Sequence, residues 1–356
     1  MKSNIQTRIL FSHWLDKSGR FAPTIDHTPT NTACTLLPFM KTIKIALLGT
    51  QHDYKDGIVP RIIAQLGYQI RWVQVHECDL LIYGAFYSAR KAHAWLPKPL
   101  RALAGNLEQK LKDSLNTRSH APVSVFHTCE NKRPDMVATD FAITFDLGPA
   151  KPNQLRLPYW MELVDWSHEG IVGNTNPRYG ELLSLTRLGQ ALGDDFLKRP
   201  QVASMITSHL LEPRRTLLAA TQRAIPVEGY GPYFDSSIKN HHQSYFVKKA
   251  VLQKYAFNLC PENSLYPGYY TEKIPESFQS GALPLGWTDT NVCADFNPKA
   301  FINLEPMAHL DYAPLTQILN SEPDLRQFCD QPLLLKKPSL DPAKQFIAEI
   351  LRQAST

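Results

Sequence analysis

The sequence predicts an α/β protein of two domains, each a mostly parallel sheet covered by helices on both faces. Three observations carry that reading. Short apolar runs bounded by turn residues alternate with helix-like stretches, the pattern of strands buried on both sides. The alternation lapses between residues 148 and 200, where prolines and two tryptophans, Trp160 and Trp166, interrupt it, and then resumes. The length, 356 residues, holds two domains of common size, each able to bury a core without disulfides or metals.

The first strong strand signal is the apolar run at residues 44–49, which ends in Gly49. Residues 1–40 before it carry no clear period, are rich in Thr, Pro and Asn beyond position 21, and read as an extension. Met40 therefore stands as a candidate physiological start. Strand-like runs follow at residues 70–75, 79–86, 123–127 and 141–147, with helix-like pieces at 58–66 and 100–115. After the interruption, strands are expected at 202–207, 255–260, 283–287 and 300–304. Helices are expected at 215–223, 244–254, 271–280, 314–328 and 342–352. The implied division is an extension over 1–40, α/β domains over 41–195 and 196–340, and a C-terminal helix over 341–356. Two such domains place a ligand in the cleft between them.

Composition narrows the function. A 43% hydrophobic and 20% charged chain is an ordinary globular protein. The net charge of +5 suits an anionic small ligand or an anionic membrane surface. Nucleic acid is not expected, because no basic run or binding motif accompanies that charge. Six cysteines, Cys34, Cys78, Cys129, Cys260, Cys293 and Cys329, lie far apart without a CxxC pair. They argue against a zinc site or disulfide framework and read as small buried hydrophobes in a reducing compartment. No run reaches the roughly 18 apolar residues of a membrane helix, and the N-terminus does not read as a signal peptide. The expected location is cytoplasmic, with peripheral contact to the inner membrane allowed.

The densest chemistry lies in residues 255–304. An apolar strand ends in Pro261, Glu262 and Asn263; a Pro/Gly loop follows, and a helix opens at Tyr269-Tyr-Thr-Glu-Lys273. Thr271 is the expected N-cap, Glu272 suits the first turn, and Pro275 falls where a helix tolerates it. A helix N-terminus offers free N–H groups and partial positive charge, and Lys273 adds a full one, which suits a diphosphate. Glu272 can accept from ribose or sugar hydroxyls; Tyr269 and Asn263 can hold a base or sugar. Taken alone, Thr-Glu-Lys is as well explained by a capped surface helix with a solvated ion pair.

The whole segment resembles the α-1,3/4-fucosyltransferases of glycosyltransferase family 10, in its bacterial branch. The resemblance rests on the apolar strand, Glu262-Asn263-Ser264, the Tyr-x-Thr-Glu-Lys helix start, Gly281 to Leu285, and Asp295 to Asn303. It is dense over about 50 residues and thinner from about Lys41 onward. It implies a GT-B fold of two facing Rossmann-like domains, with GDP-fucose held by Asn263, Tyr269, Glu272 and Lys273. The segment Glu212-Pro-Arg-Arg resembles the family's arginine segment, so Arg214, with Arg215 as the alternate, is the implied second phosphate contact. Three departures stand out: Ala256 where many members carry Lys, Pro261 in place of an aromatic, and Pro275. The heptad-repeat tail and membrane anchor of some members are absent from the sequence.

The resemblance extends to residues 126–131, where a strand ends in Glu130-Asn131, and it implies Glu130 as the catalytic base. Action near neutral pH would need surroundings that favour its protonated form. His127 is a weaker base candidate, since strand alternation points it elsewhere. Asp165, Trp160 and Trp166 are weaker acceptor contacts, core packing being the commoner use of Trp. The implied reaction is a single inverting displacement from GDP-β-L-fucose to a hydroxyl of a GlcNAc-containing glycan, similar to N-acetyllactosamine. It would give a Lewis-type α-1,3-fucoside, as in lipopolysaccharide or other glycan and glycoprotein biosynthesis. No DxD motif is seen, for Asp289-Thr-Asn lacks the second acid and Asp194-Asp195 has the wrong spacing, so no obligate metal or other cofactor is expected. Two alternatives stay open: another nucleotide-sugar transferase on the same fold, and a non-catalytic nucleotide- or carbohydrate-binding protein.

Overall fold

A computed structural model of the chain describes residues 41–87, 121–149, 151–235 and 248–355. The expected extension over 1–40, the helix at 100–115, the start of the helix at 244–254 and Cys34 lie outside these residues.

The first sheet holds six strands: β1 (Lys41–Leu48), β2 (Tyr68–Trp72), β3 (Leu80–Gly84), β4 (Val123–His127), β5 (Phe141–Thr144) and β6 (Gln154–Arg156). They run parallel in the order β2-β1-β3-β4-β5-β6, with Ile45 opposite Leu80 and Val125 opposite Phe141. The second sheet holds β7 (Ala203–Ile206), β8 (Val227–Tyr230), β9 (Phe257–Leu259), β10 (Leu283–Gly286) and β11 (Ile302–Asn303). It is also all parallel, in the order β11-β10-β9-β7-β8. Such strands need cover on both faces, and β5, β9 and β10 are buried along their whole length.

Helices supply the cover. Ile58–Gln65 turns Ile58, Ile62 and Ile63 inward at helical spacing. It ends where Gly67 takes φ +86°, a conformation open to glycine at little cost. Arg214–Ala224 and Lys273–Gln279 flank the second sheet through Leu217, Leu218, Ile274 and Phe278. Asp341–Ala354, by contrast, packs on the first sheet: it touches Ile58–Gln65, β4 and β6, and sets Phe346 edge-on against Phe141 at 5.6 Å between centroids.

Several expectations need correction. Trp160 and Trp166 are 2% and 0% exposed, so both are core and neither can stack on a sugar. The stretch 314–328 divides into two helices, Ala313–Leu319 and Glu322–Arg326, because Ser321 caps the second by accepting from the Asp324 N–H. The short edge strands β6 and β8 were not expected at all. Among the described cysteines, Cys78, Cys260 and Cys329 are buried, but Cys129 is half-buried and Cys293 exposed.

Candidate active site between the two sheets

The carboxyl ends of both sheets meet. The loop after β9 crosses to the end of β5, where Gly268 lies so close to the Phe145 carbonyl that a Cβ would stand 2.2 Å from its oxygen. Only glycine permits that approach, which its φ of +93° also requires. Tyr266 and Tyr269 then pack edge-on against the Phe145 ring, and the Arg133 guanidinium sits over Tyr266 at 4.4 Å.

This crossing brings four of the predicted residues into one hydrogen-bond network. Glu130 follows β4, its turn fixed by the Thr128 hydroxyl donating to the Glu130 carbonyl at 2.7 Å. The Glu130 carboxylate accepts from Asn263 Nδ2 at 3.2 Å and from the Tyr269 hydroxyl at 3.4 Å. Arg214, at the start of its helix, donates to Asn263 Oδ1. Burial lowers the Arg214 pKa, while Glu262, Tyr269 and Glu130 oppose that shift. Arg215 is exposed and outside this network, which separates the two arginines the sequence left open. Burial, with Glu262 and Glu130 nearby, pushes the Tyr269 phenol up, so it stays protonated and able to donate.

Glu272 and Lys273 sit one layer deeper. Thr271 is not the N-cap of Lys273–Gln279; Glu272 occupies that position without a side-chain cap. Glu262 takes Thr271 instead. Only 1% exposed, it accepts the Thr271 N–H at 2.7 Å, the Thr271 hydroxyl at 2.9 Å and Lys273 Nζ at 2.8 Å. A buried carboxylate needs such donors, and Lys273 supplies the counter-charge. Burial disfavours the Lys273 ammonium, but Glu262 and Glu272 outweigh it and raise its pKa. Burial likewise opposes ionisation of Glu272, yet Lys273, Lys248 and Arg178 win and hold its carboxyl at about 2. Lys248 also pairs with the buried Glu276, which accepts from Asn176 at 2.8 Å. Sequence reasoning missed Glu262, Lys248 and Arg178 because their meaning lies in pairings across loops.

The remaining candidates settle elsewhere. Asp165 accepts the Ser167 N–H at 2.9 Å, a local turn contact that lowers its pKa. His127 is no free base: it is buried, its Nδ1 at 2.9 Å from the Tyr54 hydroxyl and its Nε2 at 3.1 Å from Glu162. Burial, Glu162 and Glu130 push the Cys129 thiol well up, so it is no thiolate nucleophile. Among the described residues no group of three His, Cys, Asp or Glu side chains could hold a metal ion.

Two facing parallel sheets with a polar site between their carboxyl ends make a GT-B type fold. Three solved structures share the fold across at least 92% of this chain. They are crystal structures described as alpha1,3-fucosyltransferase with GDP (TM-score 0.59, 22% identical, 94% of that chain covered), alpha1,3-fucosyltransferase (0.58, 24%, 92%) and alpha1,3-fucosyltransferase with GDP-fucose (0.56, 21%, 93%). Residues 197–321 match the profile described as glycosyltransferase family 10 (fucosyltransferase) C-term. An alpha-(1,3)-fucosyltransferase of Helicobacter pylori is 30% identical over 209 residues, 53% of this chain and 42% of that protein, so the chain matches under half of the relative's length. The likeness to glycosyltransferase family 10 is carried by residues 197–321, the stretch that holds the second sheet.

Proposed function

We propose that the chain is an inverting α-1,3-fucosyltransferase that moves L-fucose from GDP-β-L-fucose to a hydroxyl of a GlcNAc-containing glycan. The observation that carries the reading is the network joining Glu130 to Asn263, Tyr269 and Arg214, which sets a carboxylate from the first sheet against a cationic, hydrogen-bonding wall from the second. The H. pylori relative and the solved neighbours support the same donor and linkage.

In this reading Glu130 takes the acceptor proton as the acceptor oxygen attacks the anomeric carbon from the face opposite GDP. The sugar passes through an oxocarbenium-like state. Charge developing on the departing diphosphate meets Arg214 and Lys273. Glu262 already neutralises much of the Lys273 charge, so Arg214 carries the larger share. Asn263, Tyr269 and Glu272 orient the donor. Residues 41–195 serve the acceptor and 196–340 the donor. The product is Lewis-type, made at the cytoplasmic side of a membrane as part of a lipopolysaccharide or similar glycan, and cationic side chains stand in for a metal.

The test is transfer from GDP-fucose, against other GDP- and UDP-sugars, to a panel of type 1 and type 2 disaccharides, with and without EDTA. Fucose transfer to the type 2 acceptor at an unchanged rate in EDTA is expected. Transfer of another sugar, or GDP binding without transfer to any acceptor, overturns the reading. Glu130→Gln should keep GDP affinity and lose roughly 10²–10⁴ in kcat, the range of a general base.

A further inference from the structure

Two acids on the helix that opens at Lys273 share one lysine. Glu272 and Glu276 stand at i,i+4 spacing, where like charges repel. Lys248, at the start of the helix Lys248–Leu252, sets its ammonium between them. It pairs with Glu276 Oε2 and lies 3.6 Å from Glu272 Oε1. The two acids differ in access. The Glu276 side chain is 1% exposed, closed to any ligand, whereas that of Glu272 is 15% exposed and open to one.

The lysine is anchored from behind. Asn176 Nδ2 donates to Glu276 Oε1 at 2.8 Å, and the Lys248 N–H donates to the Arg178 carbonyl at 3.0 Å. Asn176 and Arg178 lie in the stretch between the two sheets, so three separate segments converge on the Lys248–Glu276 pair. Glu272 has no such anchorage of its own. Among the described residues its carboxylate accepts no hydrogen bond, and Lys248 is the one cation in an ion pair with it. Lys273, its neighbour in sequence, turns Nζ to Glu262 instead. A buried ion pair adds little stability over apolar side chains of the same size. What the Lys248–Glu276 pair adds is direction: it draws Oε1 of Glu272 to one side and leaves the other oxygen to accept from a ligand.

Resting on the fucosyltransferase reading above, we propose that Lys248 is a positioning residue of the donor site: held by Glu276, it aims the Glu272 carboxylate at the ribose hydroxyls of a nucleoside diphosphate. A hydrogen bond to an ionised carboxylate is strong only when the acceptor is held in place, and here the hold comes from Lys248. Lys248 touches no part of the donor in this role; it acts through Glu272.

The test is binding of GDP and of dideoxy-GDP, which lacks both ribose hydroxyls, read by calorimetry without acceptor or turnover. The wild type should prefer GDP by at least roughly tenfold, the scale of one charged hydrogen bond. Lys248→Met/Glu276→Gln removes both charges of the buried pair, and so avoids the unpaired Glu276 that Lys248→Met alone would leave. In that double variant the preference should fall below about threefold, through weaker GDP binding, while the dideoxy-GDP Kd stays within about twofold of wild type. Glu272→Gln should lose the same preference, and adding it to the double variant should change the ratio no further. Equal binding of the two nucleotides by the wild type overturns the proposal. So does an unchanged ratio in the double variant, or an equal weakening of both nucleotides, which is what a merely structural pair would give. A wild type that keeps the GDP preference but transfers no fucose would instead sink the transferase reading and leave Lys248 in its role.

Discussion

At the residue scale the site depends on charges that cancel one another in the absence of ligand. Lys273→Ala would strand the buried Glu262, so a loss of about 3–5 kcal/mol is expected on top of any loss of donor affinity. The double variant Lys273→Met/Glu262→Gln removes both charges. It should regain much of the stability in denaturant titration while its GDP affinity stays low; recovery of GDP binding would take Lys273 out of the donor site. Glu272 carries a pH signature. Its folded pKa, about 2, lies below the usual carboxylate value of 4.5, so it stabilises the fold above the unfolded pKa. That stability should fade as pH drops from about 4.5 toward 2, and Glu272→Gln should flatten the Tm profile in this window. An unchanged acid limb would contradict the pairing with Lys273 and Lys248. The sequence marked Asn263, Tyr269, Glu272 and Lys273 through one dense local motif, and Glu130 through a separate strand that ends in Glu-Asn. It hid the Glu262–Lys273 pair, whose meaning depends on burial, and the His127–Glu162 pair, whose members lie 35 residues apart.

Elements tell a similar story. β1, β4, β9 and β10 were legible because each is an apolar run ending in a turn or polar pair. β6 offers only Gln154-Leu-Arg156, and β8 contains Gly229 with an exposed Glu228, so neither edge strand has the apolar run that marks a central one. β6 nonetheless ties the two sheets together. Arg156 grips Asp295 with both terminal nitrogens, at 2.9 and 2.8 Å, and the Trp160 indole N–H adds a third bond at 3.1 Å. Asp295 is 5% exposed, so breaking the clasp leaves an ion without its partner. Arg156→Ala, which strands the buried Asp295, should cost about 3–5 kcal/mol by chemical denaturation, and the Arg156→Ala/Asp295→Ala cycle should show coupling well above the value of under 1 kcal/mol typical of an exposed pair.

For the whole molecule, two parallel sheets were predictable from the resumed alternation, but the traffic between them was not. The helix Asp341–Ala354 follows the second sheet in sequence and covers the first, where Lys344 reaches Glu169 at 3.0 Å and Phe346 meets Phe141. Phe346→Ala should therefore destabilise the half of the protein that carries Glu130, by about 1–3 kcal/mol for a half-buried ring, although residue 346 lies beyond the second sheet. Hydrogen exchange would check this: faster exchange should appear in β4 and β5 rather than in β9 and β10. The same helix orders events at the ribosome. Synthesis runs from the N-terminus, so β1 to β6 emerge complete while one face of their sheet still waits for residues that have not been made. That face must stay soluble, or be shielded by chaperones, through the translation of the entire second sheet. The half that emerges first is thus the half that finishes last.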